Sequence, residues 1–243
     1  MSAIDRTAHL NPWRHRSLTE KAVLALGMLL LAMIFPPFPT GALIAGIMAS
    51  VTLLGARVPV RTWIACVLAP AGFLFLGALT LLVQFDGDRL SWAAGGGAAA
   101  AALIVRSLAG LFCLLFLALT TPASDLLAGL RRFGLPSEIA EVALLIYRML
   151  FLFGDTAKTM DAAQAARLGH RGVRRRLHAL GMLLASLLPR VMDRARRMEM
   201  GLAARAWDGE MRVLGRRPVL SMPALILILS LEAGTALLGV LAS

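Results

Sequence analysis

Five apolar runs alternate with polar segments along the chain. They cover residues 22–35, 41–56, 63–85, 93–119 and 220–241. Lipid offers backbone amides no hydrogen-bond partner, so each run that enters a membrane is predicted to be a helix. The first two runs have only about 15 residues each, fewer than the ~20 that usually cross a bilayer. The pattern predicts an all-α integral membrane protein with about five transmembrane helices.

The charged loops between these runs indicate how the chain is oriented. The N-terminal segment and the loop 57–61 are basic, whereas the loop 86–89 holds two aspartates. Basic loops stay on the cytoplasmic side of a membrane. We therefore expect a multi-pass protein of the bacterial cytoplasmic (inner) membrane with its N-terminus in the cytoplasm, the loop 86–89 outside and the C-terminus outside.

The same orientation divides the chain into three parts. Residues 1–120 form a membrane bundle of four spans, 121–217 a platform of long amphipathic helices, and 218–243 a last span. Within the platform the segment 139–153 is strongly apolar. We favour a buried or interfacial helix there, and a further crossing of the membrane is the alternative.

Composition agrees with the membrane assignment. Hydrophobic residues make up 58% of the chain and charged residues 16%, against ~45–50% and ~25% in soluble domains. The net charge is nevertheless +11. Residues 155–217 hold 14 basic and 6 acidic residues and so carry +8 of that charge. Their arginines could form a solvated helix face or meet the anionic headgroups of membrane lipid.

An Ala-Arg motif occurs twice in this basic part. Ala166-Arg167-Leu168 and Ala204-Arg205-Ala206 are 38 residues apart, and each lies near the end of a predicted helix. Small alanines let another surface approach closely, and an arginine then offers five donors in a fixed geometry. Because the chain is rich in alanine and arginine, chance repetition is the alternative to a functional pair.

Several further segments carry a resemblance to a known family. The sequence resembles the transmembrane T components of energy-coupling factor transporters, most of all the cobalt-type family CbiQ. The segments are Ile4-Asp5-Arg6, Asn11-Pro12-Trp13-Arg14, Glu20-Lys21, Thr121-Pro122, Asp125-Leu126-Leu127, the block from Leu130 to Pro136, and Tyr147-Arg148. The two Ala-Arg motifs fall where that family has its coupling motifs. The family often has glycine at the third position of each motif, where this chain has Leu168 and Ala206.

The resemblance implies a mechanical role rather than a catalytic one. Two cytoplasmic ATP-hydrolysing subunits would bind the ATP, and a small membrane protein would capture cobalt. The chain between them would bind no cofactor and would receive movement through Ala166, Arg167, Leu168, Ala204, Arg205 and Ala206. A T component for nickel or a vitamin is the alternative.

The residues themselves favour a chain without catalytic or metal chemistry. Gly95-Gly96-Gly97 lacks the Gly-Lys-Ser/Thr sequence of a phosphate loop, and no nucleic-acid-binding motif is present. All four histidines lie outside the apolar runs. A membrane enzyme that acts on lipid would need a polar catalytic cluster near the headgroups. We therefore predict that this chain is not an enzyme and holds no metal.

Two charged residues within apolar runs need a partner or a polar environment, because charge in the bilayer is costly. Arg106 lies in the fourth run and Glu232 in the fifth. We expect Arg106 to extend toward the headgroups and Glu232 to lie near the outer interface. A salt bridge from Glu232 to an arginine is the alternative.

Overall fold

The computed structural model describes residues 3–86, 89–93, 95–131, 134–167, 171–206 and 220–242, and within them the chain is almost entirely helical. The helices are α1 (Ala3–Leu10), α2 (Leu18–Ile34), α3 (Ala42–Ser50), α4 (Val60–Leu82), α5 (Gly96–Thr120), α6 (Ala123–Leu130), α7 (Ser137–Ala166), α8 (Val173–Ala203) and α9 (Met222–Leu241). A short 3-10 helix, Pro12–His15, follows α1. Wider helical turns flank α3 and extend it to Pro37–Gly55.

The all-α membrane fold is confirmed. Among the described residues, four helices are long and apolar enough to cross a membrane: Pro37–Gly55, α4, α5 and α9. The remaining predicted span corresponds to α2, which at 17 residues is shorter than these four. α7 contains the apolar segment 139–153 but is not among the four.

A short antiparallel hairpin joins α4 to α5, where the sequence pattern predicted the end of a membrane helix at 83–85 and then a loop. Strand β1 (Val83–Asp86) pairs with β2 (Arg89–Trp92), with Val83 opposite Trp92 and Asp86 opposite Arg89. The hairpin extends two neighbouring antiparallel helices, and their packing brings its strands together. Strands of only four residues each carry little sequence signal of their own.

The chain forms two units, one from its start to Leu126 together with α9, and the other from Leu127 to the end of α8. The first unit has a well-filled core in which α5 packs against α2, α3 and α4. Small residues such as Ala109 and Cys113 allow α5 to approach its neighbours. The buried core residues are Leu24, Ala25, Met28, Ala32, Ile44, Met48, Ala109, Cys113, Phe116 and Ile228.

The second unit is built on α7 and α8, which contact each other. Gly172, the residue before α8, has a positive φ of 93°. Pro189 lies inside α8 and starts no new helix. Of the apolar residues on α8, Leu183 is buried, whereas Leu184 and Leu188 are 66% and 62% exposed. This unit therefore leaves much of its apolar surface uncovered.

Candidate functional site

Arg167 caps the C-terminal end of α7. Its backbone N–H donates to the carbonyl oxygens of Ala163 and Gln164 at 3.3 and 3.2 Å. Its side chain and the preceding Ala166 are exposed. A cation at a helix C-terminus is stabilised by the partial negative charge there, so the guanidinium is compatible with this end of the helix. Leu168, the third residue of the motif, lies outside the described residues.

Arg205 lies in the turn that ends α8. Its backbone N–H donates to the carbonyl oxygen of Leu202 at 3.0 Å, and that of Ala206 to Ala203 at 3.1 Å. Ala204, Arg205 and Ala206 are all exposed. The two predicted motifs thus end successive helices.

Ala206 has φ +50°, in the left-handed region that favours glycine. For an ordinary L-residue this conformation costs roughly 1–2 kcal/mol. The resembling family often has glycine at this third motif position. In this chain alanine adopts a conformation that glycine would adopt without that cost.

Arg167 lines an open basic cleft of about 550 Å³. The end of α7 and the first three turns of α8 form its walls. Five of its lining side chains are polar or charged, and two are apolar. They are Gln164, Arg167, Arg174, Arg175, His178, Ala179 and Met182.

Arg205 lies at the other end of α8 from this cleft. Because α8 has 31 residues and a helix rises 1.5 Å per residue, the helix is up to about 46 Å long. The structure therefore does not bring the two motif arginines together. Arg167 lies near the N-terminal end of α8 and Arg205 at its C-terminal end, and both side chains are exposed.

A second constellation of charged residues lies in the first unit, and the sequence analysis did not anticipate its role. Glu20 and Lys21 are only 3% and 2% exposed. The backbone N–H of Ser221, the residue before α9, donates to Glu20 Oε1 at 2.7 Å. Lys21 Nζ donates to the carbonyl oxygen of Thr120, the last residue of α5, at 3.0 Å. Each charge therefore meets a helix end of opposite partial charge.

Asn11 and Trp13 extend this constellation. Asn11 Nδ2 donates to the Leu119 carbonyl at 3.5 Å, and Trp13 Nε1 donates to the Gly55 carbonyl at 2.9 Å. These contacts satisfy carbonyl groups that the ends of α5 and of Pro37–Gly55 leave without intrahelical partners. We refer to Asn11, Trp13, Glu20 and Lys21 as the N-terminal clamp. Lys21 lies in the first turn of α2, where the partial positive charge of the helix disfavours a cation. A lysine at such a position indicates that its ammonium group has a partner elsewhere in the protein.

Arg106 and Glu232 differ in how the structure accommodates their charge. Arg106 Nη2 donates to the carbonyl oxygen of Phe35, which caps the end of α2, at 3.1 Å. Glu232 lies halfway along α9, and its carboxylate occupies the space that a Cβ on Gly27 would take. The expected position near the outer end of the helix is therefore wrong. Glu232 Oε1 is buried and accepts no hydrogen bond from the described residues.

The described residues contain no group of three or more His, Cys, Asp and Glu side chains that could hold a metal ion. Two arginines, Arg167 and Arg205, are thus exposed at helix ends. Lys21 and Glu20 are buried and connect α2 to the ends of α5 and α9. Such an arrangement suits the binding of partners.

Comparison with known proteins agrees with this picture. A sequence profile described as CbiQ, cobalt transport protein, matches residues 11–214. The chain is 51% identical over 241 residues to the cobalt transport protein CbiQ of Rhodobacter capsulatus, covering 99% of each chain. It is 27% identical to CbiQ of Salmonella typhimurium, covering 86% of this chain and 99% of that one. It is also 28% identical to a putative fused cobalt transport protein CbiMQ of Methanocorpusculum labreanum, covering 95% of this chain and 41% of that longer one.

Proposed function

The chain belongs to the CbiQ family of cobalt transport proteins, and on that basis we propose that it is the transmembrane coupling component of an ATP-driven cobalt importer of the energy-coupling factor type. It is a multi-pass membrane protein with a part in cobalt transport. In the proposed complex, two cytoplasmic ATPase subunits bind ATP and contact the second unit of this chain. A separate membrane subunit captures the cobalt, and this chain binds neither metal nor nucleotide.

The placement of Arg167 and Arg205 supports this role most directly. They are exposed, they end successive helices, and they stand at opposite ends of α8. Two contacts up to about 46 Å apart do not fit one small receptor, but they fit two copies of a partner. Movement of either copy would then displace one end of a helix, in keeping with the shear and hinge motions of packed helices.

The fused relative supports the membrane partner. This chain covers only 41% of a protein whose printed name combines CbiM with CbiQ. A second polypeptide segment is therefore joined covalently to the CbiQ-like segment in that protein. We infer that the present chain meets a corresponding membrane subunit as a separate protein. The cytoplasmic location of the N-terminus is part of the same proposal.

Charge reversal at the two motif arginines tests the proposal. Arg167→Glu and Arg205→Glu, made in the complex with its ATPase and membrane subunits, should each weaken ATPase retention in detergent and slow cobalt uptake. The loss should be about 2–5 kcal/mol if the contacts are desolvated. Arg190→Glu, an exposed position near the middle of α8, is the matched control.

The result can also contradict the coupling role. Retention, uptake and ATPase rate that match the control in both motif variants would rule out Arg167 and Arg205 as coupling contacts. Membrane insertion should be unaffected in all three variants, because none of these residues lies in a predicted span.

A further inference from the structure

The basic cleft contains more positive charge than the Ala-Arg motif accounts for. Arg174 and Arg175, in the first turn of α8, line it together with Arg167 from α7. His178 adds a further donor one turn on. The sequence pattern left these arginines as a solvated or lipid-facing surface. In the structure they share one concave site with the motif arginine.

The electrostatic position of Arg174 and Arg175 is unfavourable within the chain itself. The first turn of a helix carries partial positive charge, and α8 has no acidic residue there. Cations in that turn are therefore disfavoured. Neither arginine has an ion pair within the described part of the chain. Their charge would be offset by an anionic group from outside.

We propose that Arg174, Arg175 and His178 form, together with Arg167, a single receptor for a carboxylate-bearing segment of the soluble partner subunit. This inference rests on the proposed function, because it takes the partner that contacts Arg167 as the occupant. A segment that enters the cleft to reach Arg167 also meets Arg174, Arg175 and His178, which line the same cleft. Paired carboxylates match the bidentate geometry of guanidinium groups.

The apolar residues of the cleft agree with a protein occupant. Ala179 and Met182 form part of the lining, and Leu180 and Leu184 are exposed on the same helix. An apolar patch with arginine and methionine beside it is typical of the buried centre of protein interfaces. Arg174 and Arg175 thus act as specificity residues that select an acidic surface, and Arg205, at the far end of α8, makes a separate contact.

The test uses the intact complex and three double variants. In Arg174→Glu/Arg175→Glu, retention of the ATPase subunit should fall roughly tenfold or more, because repulsion replaces attraction. Arg174→Lys/Arg175→Lys should keep most of the retention, since it preserves the charge. Arg190→Glu/Arg196→Glu changes the net charge of α8 equally outside the cleft and should have little effect. Retention by the unchanged chain should also weaken with added salt, and more steeply than in the Glu variant.

The outcomes separate this inference from the function on which it rests. Normal retention in the cleft Glu variant, with loss in Arg167→Glu, would overturn the shared receptor and leave the coupling role intact. Normal retention in both would overturn the shared receptor and Arg167 as a coupling contact, and normal retention in Arg205→Glu as well would overturn the coupling role. If the cleft Glu variant keeps its ATPase but loses co-purified anionic phospholipid, the occupant is a lipid headgroup and the proposal is wrong.

Discussion

Glu20 and Lys21 lie beside helix ends whose partial charge is opposite to their own, whereas Arg174 and Arg175 lie at a helix end whose partial charge has the same sign as theirs. The first pair is almost fully buried and hydrogen-bonded within the chain. The second is exposed and lines an open cleft.

This difference separates two uses of charge in one membrane protein. In the first unit, charged residues are satisfied by the backbone of neighbouring helices and so contribute to the stability of the bundle. In the second, they remain available for a partner. Charge reversal in the clamp should therefore impair folding, and charge reversal in the cleft should impair assembly.

Removing the lysine of the clamp should produce the largest effect on stability. Lys21→Met leaves the Thr120 carbonyl without its donor and Glu20 without a neighbouring cation. Hydrogen bonds to charged groups contribute about 1.5–3 kcal/mol, and we expect a loss of that size in unfolding experiments in detergent.

The chain's other lysine provides the control. Lys158 is exposed and pairs with Asp155 at 3.7 Å on the surface of α7, and Lys158→Met should leave the unfolding midpoint unchanged. Equal losses in the two variants would show that the clamp is not stabilising.

A smaller effect is expected where Glu232 packs against Gly27. Unlike Glu20 Oε1, Glu232 Oε1 accepts no hydrogen bond from the described residues. In Gly27→Ala the new methyl group would overlap the Glu232 carboxylate. Because that carboxylate is the end of a flexible side chain and can shift, we expect a loss at the low end of the overpacking range, about 1 kcal/mol. The double variant Gly27→Ala/Glu232→Ala should recover most of this loss. A double-mutant cycle on unfolding free energy measures the coupling. Additive effects of the two substitutions would show that the two residues do not touch.

The smallest effect is expected at the end of α8 and should be stabilising. Ala206→Gly removes the cost of a left-handed alanine, for a gain of at most about 1 kcal/mol. Ala204→Gly is a suitable comparison, because Ala204 has an ordinary helical conformation with φ −63° and glycine should destabilise it. Hydrogen exchange in the last turn of α8 can report both changes. Faster exchange in Ala206→Gly would contradict the turn geometry.

The sequence predicted the membrane helices well because their signal is local. Each apolar run carries its own evidence, and α4, α5 and α9 begin or end within a few residues of the predicted limits. The hairpin at 83–92 was missed because its strands have only four residues each and β1 continues the apolar run of α4. Its pairing depends on the helices that carry it.

The clamp could not be derived from the sequence, because its partners are distant along the chain. Glu20 and Ser221 are 201 residues apart, and Lys21 and Thr120 are 99 apart. Backbone carbonyl and amide groups at helix ends have no residue signature. The sequence analysis identified only one of the basic residues of the cleft. Arg167 was singled out by its motif, whereas the role of Arg174 and Arg175 depends on how α7 and α8 reverse direction.

The contact between Glu20 and Ser221 also has a consequence for the order in which the protein is made. Glu20 is synthesised 201 residues before Ser221, whose amide donates to it. During translation its carboxylate stands without this partner while α3, α4, α5 and the whole second unit emerge from the ribosome. Insertion of α9 then brings the Ser221 amide to Glu20, which was already in place, so the contact between α2 and the start of α9 forms after the other helices of the bundle have been made.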